Sequence, residues 1–287
     1  GHVRTEPSLT TRFALMKPFN SILSSYGTSI FEEMNLLARE FDALNLGQGA
    51  PDSDGPEDVV SLAAKALIDN SNQYPPLMGL PSLRRAVAAH DRRFYGLDIS
   101  QDQVLITAGA TEALAAAILA LIEPGDEVVL FEPLYDSYLP MVRRAGGVPR
   151  LVRLSPPDWA LPRAQVEAAF SERTKLVILN SPMNPAAKVF GEDELSFLAG
   201  LIERFDAYAL CDEVYEHLVF APHVHQPLMG FPAMSDRCLR VGSAGKTLSL
   251  TGWKVGYLIA APQLLVPVIK AHQFLLFTVP PNLQTAV

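Results

Sequence analysis

A chain of 287 residues is long enough for one large domain with a sizeable buried core and part of a smaller one. With 49% hydrophobic and 19% charged residues it reads as compact and globular, and 23 basic against 31 acidic side chains give a net charge of -8, which disfavours non-specific nucleic-acid binding and leaves small molecules as ligands. Two cysteines, Cys211 and Cys238, cannot build a disulfide framework here; with no secretory signal visible and no apolar run of membrane-spanning length, the expectation is a soluble cytoplasmic protein.

Gly1-His2 reads as the scar of a removed tag and is set aside. Residues 1–45 read as an arm with one amphipathic helix near 30–41. From residue 104 onward, short apolar runs (104–107, 127–131, 149–153, 176–179, 207–211, 239–241 and 255–260) alternate with helical patterns at 112–122, 135–145, 162–170 and 193–205. This alternation predicts an α/β fold, a largely parallel sheet covered by helices on both faces, with ligands at the carboxyl ends of the strands. The sequence stops shortly after Pro280-Pro281, the opening turn of a helix, so truncation is expected.

Four strand ends carry chemistry. At 105–114, a strand runs through Thr107-Ala108-Gly109-Ala110-Thr111 straight into a helix; its free N–H groups make an anion site, or the stretch is an ordinary strand-to-helix turn. It is neither G-x-G-x-x-G nor a Walker loop, which disfavours dinucleotides and nucleoside triphosphates. At 176–185, a strand ends in Asn180-Ser181-Pro182-Met183-Asn184-Pro185, where an asparagine amide either donates to a ligand or closes its own rigid turn. Asp212 ends an apolar strand and needs a cation, which a protonated heterocyclic nitrogen would supply; a helix cap or structural ion pair would also account for it. Its neighbour Glu213 reads as solvated or structural. Lys246, in Ser243-Ala244-Gly245-Lys246-Thr247, sits among small residues with Lys254 eight positions on, an arrangement that lowers an amine's pKa for Schiff-base chemistry; a solvated surface lysine is the plainer alternative. Together the four match the needs of pyridoxal 5'-phosphate: an anion cradle, a partner for the pyridinium nitrogen, a donor to the phenolic oxygen and a lysine for the aldehyde. The pair His223-x-His225 lacks further ligands at a convincing spacing, so no metal site is expected, and Trp253 reads as packing.

These stretches, with Asn45-Leu46-Gly47-Gln48-Gly49-Ala50-Pro51-Asp52, Gln73-Tyr74-Pro75, Cys211-Asp212-Glu213-Val214-Tyr215 and Thr251-Gly252-Trp253-Lys254-Val255-Gly256, run in the order of a known family over nearly the whole chain. The chain resembles the class I/II aminotransferases of the fold-type I pyridoxal-phosphate superfamily, in the branch of kynurenine aminotransferase/glutamine transaminase K and the bacterial methionine aminotransferases. The resemblance implies a three-layer α-β-α large domain over 46–287, residues 1–45 as an arm and part of a small domain, and a C-terminal small domain absent from this sequence. It implies transfer of an amino group between an L-amino acid and a 2-oxo acid. Lys246 would hold the cofactor as a Schiff base and then act as general base, and Asp212 would keep the pyridine nitrogen protonated. Asn184 and Tyr215 would hydrogen-bond the phenolic oxygen, while Tyr135 would stack on the ring. The N–H groups of Ala110 and Thr111, with Ser243 and Lys254, would bind phosphate. Tyr74 would reach the phosphate of a neighbouring subunit, implying a homodimer with shared active sites, and Gly47 and Asn184 would line the substrate pocket. The sequence departs from the family at Asn184-Pro185-Ala186-Ala187, where N-P-T-G is commoner, and no arginine occupies the motif that clamps the substrate carboxylate in relatives. A C-S β-lyase of the same fold is the alternative enzyme, to be separated by its products. A non-catalytic regulatory domain is the alternative of another class, disfavoured because residues 1–45 are too short and too little basic for a helix-turn-helix.

Overall fold

The computed structural model of the protein describes residues 17–287; Gly1-His2 and the first part of the expected arm lie outside the described residues. The chain divides after Gly49 into a small N-terminal unit and a unit of Ala50–Val287. In the small unit, α1 (Ile30–Glu40) occupies the expected amphipathic stretch. Ser29 Oγ accepts from Glu32 N–H at its start, acids fill its first turn, and Arg39 stands in its last, where each charge complements the helix dipole. Asn45 donates from Nδ2 to Asn35 Oδ1 at 2.6 Å and accepts the Gly47 N–H at 2.9 Å, folding the exposed Gly47 segment onto α1.

The larger unit opens with α2 (Glu57–Asp69) and α3 (Pro81–Tyr95). Pro81 stands in the first turn of α3, where its missing N–H costs nothing, and Gly96 ends the helix at a φ of 67°. Strand and helix then alternate as β1 (Val104–Ala108), α4 (Gly109–Leu121), β2 (Glu127–Glu132), α5 (Tyr138–Arg144), β3 (Val148–Arg153), α6 (Arg163–Ala169), β4 (Thr174–Asn180), α7 (Glu192–Arg204) and β5 (Tyr208–Asp212). After a long connection come β6 (Cys238–Ser243), the single turn α8 (Ala244–Thr247), β7 (Val255–Ala260), α9 (Pro262–Leu275) and α10 (Pro281–Ala286). The expected helix at 135–145 begins only at Tyr138, because the Tyr138 N–H closes a turn onto the Tyr135 carbonyl at 3.3 Å and leaves Tyr135 ahead of the helix.

The strands form one mixed sheet in the order β1-β7-β6-β5-β4-β2-β3, in which β7 alone runs against its neighbours. Successive residues of β4 serve opposite faces: Val177 and Leu179 pack with Leu83 and Val87 of α3 and Leu198 and Ile202 of α7, whereas Leu176 and Ile178 pack with Leu114 and Ile118 of α4 and Leu265 and Val268 of α9. This is the expected three-layer arrangement. β3 is the exception to full burial; it lies at the sheet edge, where Pro149 removes no central ladder bond.

Register gathers the interesting ends. Ala108 lies opposite Val255, Ser243 opposite Gly256, Val241 opposite Asp212, and Asp212 opposite Asn180. The close of β1, β4, β5 and β6 and the start of β7 therefore share one edge of the sheet. Glycine is required at 256: a Cβ there would stand 2.5 Å from the Gly109 carbonyl carbon and 2.8 Å from the Ala110 nitrogen. The start of β7 thus lies directly against the turn that opens α4.

Arg240 of β6 is fully buried and holds this edge from below. Its Nη1 donates to both oxygens of Asp91 at 2.8 Å, its Nε to Glu213 at 2.6 Å and its Nη2 to Glu216. Replacing it strands several buried carboxylates without a cation, so Arg240→Gln should lower stability by about 3–5 kcal/mol in urea unfolding. A loss under about 1 kcal/mol would mean that these carboxylates are satisfied in another way.

Candidate active site

β5 is apolar up to its last residue, so Asp212 is carried into the interior with 4% exposure. Its carboxylate accepts the Tyr138 hydroxyl at 2.6 Å and the Val214 N–H at 3.4 Å, and among the described residues no ammonium or guanidinium bonds to it. Burial pushes the carboxyl pKa up; the two hydrogen bonds and the charge of Lys246 pull it back only in part. The folded chain therefore holds this proton more tightly than the unfolded chain does. Stability accordingly falls as pH rises from the unfolded carboxyl value through the raised folded one, unless a cation arrives to pair with the charge.

Tyr138 is the site residue that sequence reasoning missed. Its phenol is pushed well above the usual range, by burial first and then by the charge of Asp212, so it remains a donor to that carboxylate. The available signal was its spacing, three residues beyond Tyr135; in the structure the two rings stand 5.6 Å apart and nearly edge-on.

Lys246 lies in the α8 turn. Ser243 Oγ accepts the Lys246 N–H at 3.2 Å and so starts the turn; the Lys246 ammonium stands 5.5 Å from the centre of the Tyr215 ring. Tyr215 follows Asp212 by three residues, and the segment between is fixed by Glu213, which is neither solvated nor free. Glu213 is buried between Arg240 and His225 Nε2, the latter at 3.0 Å. The structural alternative for Glu213 is the one realised.

The anion side forms where β1 meets α4. Gly109 has a φ of 67°, and among the described residues no side chain caps the helix start and no acceptor meets the Ala110 and Thr111 N–H groups. Glu112 instead reaches back to the Ala108 N–H at 3.1 Å. A Cβ on Gly109 would sit 3.0 Å from Lys254 Nζ, so this ammonium stands over the turn; Lys254 itself adopts a φ of 53°, a left-handed conformation that aims its side chain there. Ala110, Thr111, Ser243 and Lys254 are thus brought together at one edge.

The asparagine turn divides its duties. Asn180 Nδ2 donates to the Asp212 carbonyl at 2.9 Å and Asn180 Oδ1 accepts the Asn184 N–H at 2.7 Å, so Asn180 is the structural member. The Asn184 side-chain amide makes no hydrogen bond among the described residues. Tyr74 is 82% exposed and meets Phe277 edge-on at 5.3 Å. Trp253 packs against the core, as expected. An apolar cavity of about 170 Å³ beside the lysine turn is lined by residues such as Leu83, His90, Leu248 and Tyr257, and none of Asp212, Tyr215 or Lys246 opens into it.

The residues of this edge fit pyridoxal 5'-phosphate by what each lacks. A buried carboxylate lacks a cation, a helix start and an ammonium lack an anion, and a primary amine near both carries no ion pair among the described residues.

Comparison with known proteins agrees. The family model "Aminotransferase class I and II" matches residues 42–287. The methionine aminotransferase of Escherichia coli K12 is 41% identical over 268 residues, covering 93% of this chain and 69% of that one. A probable N-succinyldiaminopimelate aminotransferase of Mycobacterium tuberculosis is 43% identical over 270 residues, covering 93% of this chain and 68% of the relative. The solved structure of N-succinyldiaminopimelate aminotransferase from that organism superposes with a TM-score of 0.91 at 43% identity, over 94% of this chain and 71% of the other. Rat kynurenine–oxoglutarate transaminase 1 is 37% identical over 279 residues, 92% of this chain and 66% of its own length. The family model spans most of the described chain and the neighbours share its fold, so the chain belongs to the class I and II aminotransferases, pyridoxal-phosphate enzymes that move an amino group between an amino acid and a 2-oxo acid.

Proposed function

We propose that the edge formed by Asp212, Tyr215 and Lys246 is the catalytic centre of this aminotransferase, with Ala110, Thr111, Ser243 and Lys254 on the cofactor phosphate, Asn184 and Tyr215 on its phenolic oxygen and Tyr135 against its ring. The observation that carries this reading is the buried Asp212 carboxylate, supported by Tyr138 yet without a cation. Pyridoxal phosphate, when bound, supplies an aldehyde for the substrate's amino group and a ring that takes up the electron pair left at Cα. Asp212 would hold the ring nitrogen in its protonated form, and the Tyr138 hydroxyl, 2.6 Å from that carboxylate, would help keep it ionised and oriented. Lys246 Nζ would hold the cofactor aldehyde covalently and, when freed, would serve as the base that moves the proton at the substrate Cα. Asn184 also contributes to the substrate pocket, and a division into an arm with part of a small domain over 1–45 and a large domain over 46–287 goes with this reading.

We further infer a homodimer with shared sites, in which Tyr74 serves the partner's phosphate. Support comes from Tyr74 itself and from exposed apolar side chains on and after α9, among them Val266 at 60% and Phe274 at 82%, which a second copy would cover. The two unpaired buried thiols, Cys211 and Cys238, suit a reducing cytoplasm, and no described helix is long and apolar enough to cross a membrane. Amino donors named for the relatives, namely methionine, N-succinyldiaminopimelate and kynurenine, form the first substrate panel.

Lys246→Ala should abolish borohydride-reducible attachment of the cofactor and reduce turnover to background; a surviving reducible adduct would assign the attachment to another amine. Tyr138→Phe removes a donor from a buried carboxylate, which should raise the Asp212 pKa further, move the acidic limb of the kcat profile to higher pH and lower kcat about 5- to 100-fold. An unchanged profile would disconnect Tyr138 from the reaction. Tyr74→Phe should weaken cofactor retention by about tenfold at unchanged kcat once saturated, since it removes one charge-assisted hydrogen bond. Sedimentation of the wild type as a monomer would refute the shared site.

A further inference from the structure

On the same unit but outside the catalytic edge, we propose that His90, His217 and Glu216 form a binding site for one divalent transition-metal ion of the zinc type. His90 lies near the end of α3, and His217 follows Tyr215 by two residues. Their Nε2 atoms face each other at 2.7 Å with the rings nearly perpendicular. His90 Nδ1 is 3.0 Å from Asp91 Oδ1, and this buried carboxylate can only accept; Nδ1 therefore carries hydrogen, and His90 Nε2 accepts from His217 Nε2–H. A bound metal ion would replace that one shared proton, the His217 ring then carrying its hydrogen on Nδ1. A carboxylate behind a histidine in this way is the support that fixes ring orientation in metal ligands.

Glu216 brings the oxygen. Its ligand atom and the two histidine nitrogens all lie within 4.8 Å of one another. Its carboxylate accepts Tyr95 OH at 2.5 Å, Tyr257 OH at 2.8 Å and Arg240 Nη2, which leaves roughly one of about four lone-pair positions free. Charge points the same way. The single guanidinium of Arg240 serves the carboxylates of Asp91, Glu213 and Glu216, so the cluster keeps a surplus of negative charge that a dication at its rim offsets. Imidazole with carboxylate suits zinc and its neighbours rather than calcium or magnesium. Zinc holds imidazole nitrogens at about 2.0–2.1 Å, which sets a tetrahedral pair about 3.3 Å apart, and the exposed His217 ring has room to open by about half an ångström. The pair flagged in the sequence, His223 and His225, lies outside this cluster, and His225 Nε2 stands 3.0 Å from Glu213. An ion held by His90 and His217 would clamp α3 to the segment that carries Asp212 and Tyr215.

The test is calorimetric titration of Zn2+ into tag-free, cofactor-loaded protein, with thermal unfolding alongside. The expected result is saturable binding of one ion per chain and a Tm raised by about 5 °C at a hundredfold excess over Kd. His217→Gln and His90→Gln should each weaken binding by about 10- to 100-fold, while His223→Gln leaves it unchanged. Cu2+ bound in place of Zn2+ should show electron-spin coupling to two imidazole nitrogens. His217 is exposed, so its variant decides the matter even if His90→Gln fails to fold. No saturable binding, or equal binding by wild type and His217→Gln, overturns the site.

Discussion

A guanidinium without contact to water needs acceptors on every side, and Arg240 finds them on separate parts of the fold: Asp91 on α3, and Glu213 and Glu216 in the segment that leaves β5. Removing water from such a group is tolerated only when these bonds are all made together, so the helix and the segment are held where β6 requires them. That segment begins with Asp212 and contains Tyr215. The proposed catalytic edge therefore adjoins this ionic cluster, which positions Asp212 and Tyr215 before any ligand arrives.

Asp212 and Glu213 are sequence neighbours with opposite fates. Glu213 is satisfied inside the protein, by Arg240 and His225; Asp212 has hydroxyl and amide donors and no cation. On the proposed reading, the chain accepts a destabilised carboxylate at one position because its partner would be part of the ligand. Such incompleteness separates a binding site from a structural ion pair. It recurs at the start of α4, which no described side chain caps and where the partner on the proposed reading would be an anion instead.

The sheet was legible because buried strands write themselves as short apolar runs, and the edge was legible because unusual residues (Asp212, the Asn180–Asn184 turn, the lysine turn) interrupt those runs at their ends. Much of the rest depended on contacts distant in sequence. Arg240 sits within the apolar run 239–241 and gives no local sign of being paired with Asp91, 149 residues away. Tyr138 looked like one aromatic among several, since its value comes from Asp212, 74 residues on. From the residues alone Asn180 and Asn184 read alike, and the resemblance singled out Asn184; with β5 beside β4, Asn180 is tied to the Asp212 carbonyl. The reversed direction of β7 has no marker in composition, because an apolar strand buried on both faces reads the same in either sense.

That reversal determines length. Chain leaving β6 turns through α8 and re-enters the sheet as β7, so Lys246 and Lys254 lie on one short, folded connection rather than on independent loops. Within it, the Leu250 N–H is bound to the Gly245 carbonyl at 2.8 Å, and Gly256 is pressed against the turn of Gly109 and Ala110. The spacing of the two lysine side chains is consequently set by this one connection. If Lys246 and Lys254 hold the two ends of the cofactor as proposed, a molecule that spans them would have to match in reach as well as in charge, and the bare aldehyde without its phosphate would not reach across.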